Sequence, residues 1–164
     1  MVATVVALLA AGGCASGHLA SGSAFSGRDL ITGKDIARWP AGSAQRAFVA
    51  WWRDAQYANV SAVAKLVTMR PVPAQAVPLV DALSSLMQSA RPTSLVALKR
   101  RGGANLRVTV TVHQPVGAGT FVDQRLKLTV PLLGGPGSWR VATGYAWAQA
   151  LADDLRPLTG GNRG

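Results

Sequence analysis

Ser43-Ala44-Gln45-Arg46-Ala47-Phe48-Val49-Ala50-Trp51-Trp52-Arg53-Asp54-Ala55-Gln56-Tyr57-Ala58-Asn59 is the stretch that organises this chain. Phe48, Trp51, Trp52 and Ala55 fall at i, i+3, i+4 and i+7, one face of a helix with a 3.6-residue period. Arg46, Arg53 and Gln56 lie largely off that face. Ser43 suits the N-cap, but Arg46 occupies the position where a capping box has Glu or Gln, so the start is only half specified. Two adjacent tryptophans need a large apolar partner, and each other segment can be asked whether it supplies one.

The segments that follow continue the helical period and then abandon it. Residues 60–69 place Val60, Val63, Ala64 and Val67 on one stripe, with Asn59 as a cap. Arg70-Pro71-Val72-Pro73 then breaks the helix. Residues 74–90 resume the period through Val77, Val80, Leu83, Leu86 and Met87, with Pro78 marking an early turn or a kink. After Pro92 the period falls to two. Residues 94–101 form a strand with a basic end, and Gly102-Gly103 supplies a hairpin turn. In residues 106–113, Leu106, Val108, Val110 and Val112 face one way, while Arg107, Thr109, Thr111 and His113 face the other. Residues 114–119 read as a turn region. In residues 120–131, Val122, Gln124, Leu126, Leu128 and Val130 share one side. A last strand spans 138–143, with Trp139 and Val141 facing together. Residues 145–155 suit either a short closing helix or a bent terminal strand. The layout is α+β: N-terminal helices packed on an antiparallel sheet of consecutive hairpins.

Outward from this body lies the N-terminal region. Residues 1–13 are uncharged and mostly apolar, too short for a membrane-spanning helix of about 20 residues but suited to the core of a signal peptide. The ending Leu9-Ala10-Ala11-Gly12-Gly13-Cys14 resembles the lipobox of bacterial lipoproteins, although Ala11 stands where that pattern has Leu and no Lys or Arg precedes Cys14. The resemblance implies cleavage before Cys14, a diacylglyceryl group on its thiol, acylation such as palmitoylation of the new amino terminus, and a cell-membrane location on the extracytoplasmic side. The alternative is an apolar N-terminus with an ordinary buried Cys14. Residues 14–38 begin as a Ser-, Gly- and Ala-rich stretch suited to a flexible tether. Leu30, Ile31 and Ile36 are candidates to pack on the domain, which is expected over 39–157 with a frayed tail at 158–164.

The Trp39-Pro40 step, the 47–52 helix, the Val60–Val67 stripe and the late Trp139-Arg140-Val141 strand together resemble the cone-shaped nuclear transport factor 2-like fold. More specifically, they resemble the small actinobacterial lipoproteins that carry that domain. The resemblance implies a curved sheet wrapped around the helices, often with a pocket at the open end of the cone. Relatives include enzymes, binding modules and accessory domains, so the fold does not select a role.

Chemistry is sparsely signalled. The chain has 164 residues and a net charge of +10, from 17 Lys and Arg against 7 Asp and no Glu. That balance fits a solvated basic surface, or attraction to an acidic membrane or wall polymer; no motif points to a specific nucleic acid. The single cysteine excludes an internal disulfide and a multi-cysteine metal site. Phosphate-loop and nucleophile-elbow motifs are absent, and His18 falls in the tether. No catalytic set, metal or cofactor is assigned. Trp51, Trp52, Asp54, His113 and Trp139 are the candidate pocket residues, and Asp54 with His113 is the candidate dyad for an isomerase- or dehydratase-like alternative. Lys99, Arg100, Arg101 and Arg107 are candidates for contact with an anionic surface, or for charges that guard a sheet edge. The expected function is a membrane-tethered envelope module that binds a small apolar ligand or a partner protein, or an accessory protein docking through its sheet.

Overall fold

A computed structural model describes residues 29–68, 73–117, 120–142 and 145–156. The expected signal segment, Cys14, most of the tether and the 158–164 tail lie outside the described residues. The short helix α1 (Gly33–Ala37) is closed by a capping box. The Thr32 backbone N–H donates to Asp35 Oδ2 at 2.9 Å, and the Asp35 N–H returns to Thr32 Oγ1. Ile31 is buried and Ile36 packs on the core. The folded unit therefore starts earlier than the expected boundary at Trp39, and residues 29–38 belong to it rather than to a tether.

Helix α2 (Ala44–Gln56) starts at Ser43, whose Oγ accepts from the Arg46 N–H at 3.1 Å. Its buried face holds Phe48, Trp51, Trp52 and Ala55, and also Val49 and Gln56. Phe48 and Trp52 are completely enclosed, and Trp51 is 3% exposed. Full burial of one large apolar side chain stabilises a fold by about 1.5–3 kcal/mol, so this face is the main apolar element of the helical layer. The helix ends in paired reverse bonds, Ala58 N–H to Ala55 O and Asn59 N–H to Asp54 O at 2.8 Å, which satisfy its last carbonyls. Ala58 sits at φ 51 to make that turn.

Helix α3 (Val60–Leu66) is capped by Asn59, whose Oδ1 accepts from Ala62 N–H. Val63 is buried, but Ala64 is exposed, so the expected stripe is narrower than drawn. Val67 leaves the helix and forms a parallel bridge with Val141. Helix α4 (Pro73–Met87) carries Pro78 within its span and buries Val80, Leu83, Ser84 and Met87. Val77, expected on that face, is 40% exposed.

Four strands follow: β1 (Ala90–Arg100), β2 (Gly103–Gly117), β3 (Thr120–Leu133) and β4 (Arg140–Val141). They pair antiparallel in sequence order, so β1 and β4 form the edges. The first hairpin turns on Arg101-Gly102, with Gly102 at φ +70; Gly103, expected in the turn, is the first residue of β2. The expected turn region at 114–119 is mostly strand, since β2 runs to residue 117 and β3 resumes at 120. The last strand is shorter than expected. Trp139 stands outside it and donates from Nε1 to the Gly42 carbonyl at 2.8 Å. Residues 145–155 form helix α5 (Tyr145–Leu155), which buries Ala148, Leu151, Ala152 and Leu155.

The inner sheet face meets the helices. Leu106, Val108, Val110, Val112, Val130 and Leu132 are all 0–2% exposed. These side chains cover the tryptophans of α2, and Trp147 of α5 closes on Trp51 with ring centroids 5.8 Å apart. The described fold is α+β, with helices layered on one face of a four-stranded antiparallel sheet.

Candidate functional site

The expected pocket residues are not brought together. Trp51 and Trp52 are core. Trp52 Nε1 donates to the Ala90 carbonyl at 3.1 Å, whereas Trp51 Nε1 is buried with no hydrogen-bond partner. Asp54 lies near the C-terminal end of α2, half-buried, and burial pushes its carboxyl above the usual range while Arg53 partly offsets this. His113 neighbours the inward Val112 on β2, and successive strand side chains point to opposite faces. It therefore faces away from the layer that contains Asp54, and the expected Asp54–His113 dyad does not form.

His113 instead meets its cross-strand neighbour. His113 Nδ1 lies 2.7 Å from Asp123 Oδ1, and the imidazole stacks on Phe121 at 4.7 Å between centroids. An imidazole held by a carboxylate can orient a proton, but no hydroxyl bonds this ring among the described residues, and Asp123 is largely exposed. A groove of about 390 Å³ beside the pair is lined by Asp29, Arg91, Thr93 and Thr111. A second groove, of about 370 Å³, runs between β1, α2 and the α1 segment. Its polar wall is structural: Asp35 Oδ1 receives Arg91 Nη2 at 2.7 Å, and Arg91 Nη1 also donates to the Leu30 carbonyl. Trp139 borders a shallower groove with Gly42, Ser43 and Arg46. Among the described residues there is no group of three or more His, Cys, Asp or Glu able to hold a metal ion.

The basic candidates resolve into a surface. Cross-strand partners share a face. Arg107 pairs with Val96 on one side and Thr129 on the other, and Arg100 pairs with Gly103, which pairs with Leu133. Arg100 and Arg107 thus share the outer face, Lys99 alternates to the inner side beyond the helices, and Arg101 sits in the turn. Sequence reading missed three further members. Arg125, Lys127 and Arg140 are on the same outer face through their pairings with Thr111, Thr109 and Leu133. Alternation along residues 120–131 had already set Arg125 and Lys127 opposite the apolar side; only the strand register joins them to Arg107. The sole carboxylate on the four strands is Asp123, already paired with His113. No helix covers this face among the described residues, and Val96, Leu98 and Leu133 stand on it 52%, 40% and 41% exposed.

The class these features define is an α+β domain with a packed inner sheet face and a basic outer one that no described helix covers. Comparison of the chain with protein-family models, curated proteins and solved structures finds no match. No described helix is long and apolar enough to cross a membrane.

Proposed function

We propose that this chain is a membrane-tethered, extracytoplasmic accessory module of the bacterial cell envelope. It is anchored by lipid on Cys14 and works by docking through its sheet. Its fold is read as a closed form of the nuclear transport factor 2-like cone, in which helices fill the concave side of the meander. The observation that carries the reading is the contrast between the two sheet faces. The inner face is closed over Trp51 and Trp52, and the groove that remains at its edge, between β1, α2 and the α1 segment, is walled by the Asp35–Arg91 ion pair. The outer face is basic and, among the described residues, open, with exposed Val96, Leu98 and Leu133 on either side of β2. Location rests on the lipobox-like ending at Cys14 and on the apolar segment before it.

Membrane fractionation followed by mass spectrometry of the N-terminal peptide tests the anchor. The expected product begins at Cys14 and carries the mass of a diacylglyceryl group with added acyl chains. An uncut chain with an unmodified Cys14 would remove the location.

A further inference from the structure

We infer that the outer face of the sheet is a docking surface for an anionic phospholipid bilayer. The inference rests on the reading of that face as the working surface, and names its occupant.

The strand register gives the surface its form. Leu98 stands across from Asn105, which stands across from Pro131; one row further, Arg100 faces Gly103, which faces Leu133. Two apolar pairs, Val96 with Leu98 and Pro131 with Leu133, therefore flank a low centre made of Asn105 and Gly103. Arg100 and Arg140 bound this patch at one end, and Arg107 and Lys127 at the other. All four cations are exposed, and none is ion-paired among the described residues. Cations around a shallow centre flanked by exposed Val96, Leu98 and Leu133 match the boundary of a bilayer, with phosphates outside and acyl chains beneath. A soluble polyanion would use the cations but leave Val96, Leu98 and Leu133 in water.

The chain path favours a bilayer over an acidic protein. Asp29, the first described residue, lines the groove that holds the outer-face residues Thr111, His113 and Asp123. The described chain thus begins beside the His113–Asp123 end of this face, with Cys14 before it in sequence. The 15 residue steps between them span at most about 50 Å when fully extended. An anchored domain would present this face to its own membrane at high effective concentration.

The test uses the full chain with Cys14→Ser, so that no acyl group contributes, sedimented with two kinds of vesicle. One is phosphatidylcholine alone; the other is an equimolar mixture with phosphatidylglycerol. Any contribution from the apolar N-terminus is common to both, so the readout is the excess binding to the anionic vesicles. That excess is expected to fall with rising salt. Arg107→Glu with Lys127→Glu should reduce it roughly 25-fold or more, since each cation near an anionic surface contributes about fivefold. Arg53→Glu with Lys65→Glu makes the same charge change on the helical layer and should leave it within a few-fold. A Leu98→Cys variant, then the only cysteine, should show a blue shift of an attached environment-sensitive dye on anionic vesicles. Urea midpoints of all variants verify that each is folded.

Equal loss from the two double variants would overturn the inference, because net charge alone would then explain binding. Absence of the dye shift, together with equal binding to soluble polyphosphate, would assign the face to an anionic polymer instead. No anionic excess in a chain whose native form carries acylated Cys14 would reject the bilayer as occupant while leaving the tethered accessory reading intact. Unmodified Cys14 with a normal anionic excess would do the reverse.

Discussion

Gln56 and Trp52, one helical turn apart on α2, both donate to the carbonyl of Ala90, each at 3.1 Å. Gln56 does more. Its Nε2 also reaches the carbonyls of Met87 at 2.7 Å and Asp29 at 3.0 Å, and its Oε1 accepts from the Ile31 N–H at 2.8 Å. One buried amide thus joins the N-terminal segment, the end of α4 and the start of β1. Replacing it by Leu leaves several buried backbone groups unpaired, each costing about 1–3 kcal/mol. Gln56→Leu is expected to destabilise the domain by about 3 kcal/mol or more, read as a lower urea midpoint. Trp52→Phe, which removes only one of these bonds along with some volume, should cost less.

The end of the same helix offers the opposite sign. Ala58 holds φ 51, a left-handed conformation that glycine adopts without Cβ strain. Ala58→Gly is expected to raise stability by up to about 1 kcal/mol, the relief of strain outweighing glycine's entropy in the unfolded chain. A lower urea midpoint would mean that the turn does not carry this strain.

Adjacent glycines in the first hairpin should respond to substitution for different reasons. Gly102 has a left-handed φ of +70 and open space around it, so Gly102→Ala is expected to cost about 1–2 kcal/mol and Gly102→Asn less. At Gly103 a Cβ would run into the Leu132 carbonyl of the paired strand. That neighbour is backbone and cannot swing away, so Gly103→Ala should be the more damaging of the two. Thermal unfolding followed by circular dichroism ranks them.

Acidification should weaken the attachment of the α1 segment. Burial pushes the Asp35 carboxyl up, but the Thr32 hydroxyl and N–H, with Arg91 and Arg38, outweigh it and hold the group below its ordinary value of 3.8. A carboxylate depressed in the folded state contributes stability above its unfolded pKa and loses that contribution as pH falls through the folded one. The urea midpoint should therefore drop below about pH 4, and Asp35→Asn should flatten that part of the profile. Asp54 has the reverse sign: burial raises its pKa, so its contribution is present at low pH and lost as pH rises through the folded value. Asp54→Asn is expected to stabilise the domain at neutral pH.

Periodicity made the layers legible. The i, i+3, i+4, i+7 face of α2 and the alternation of Leu106 to Val112 both report burial directly, because helix and strand geometry impose those periods. Gln56 was read as lying off the apolar face, since a hydropathy pattern has no way to show that a polar side chain will find four backbone partners from distant segments. Val77 and Ala64 carried the right spacing without burial, because spacing alone does not set how wide a stripe the neighbouring elements cover. The candidate site was half legible. Arg100 and Arg107 were identified as a basic cluster, but Arg125, Lys127 and Arg140 joined them only through strand register, which is a long-range property. The proposed dyad failed on a local rule: His113 alternates with Val112, so a residue facing the helices could not be its partner.

The manner in which Ile31 is held sets how the domain would yield under mechanical load. A pull delivered through the chain before Asp29 reaches the fold at bonds that include Ile31 N–H to Gln56, Gln56 to the Asp29 carbonyl, and Arg91 to the Leu30 carbonyl. Beyond them stands the Arg91–Asp35 pair, and only then the long β1–β2 ladder. The N-terminal clasp therefore acts as a fuse. It would peel away first and lengthen the leash by about ten residues, leaving the sheet and its basic face intact while the tension is absorbed.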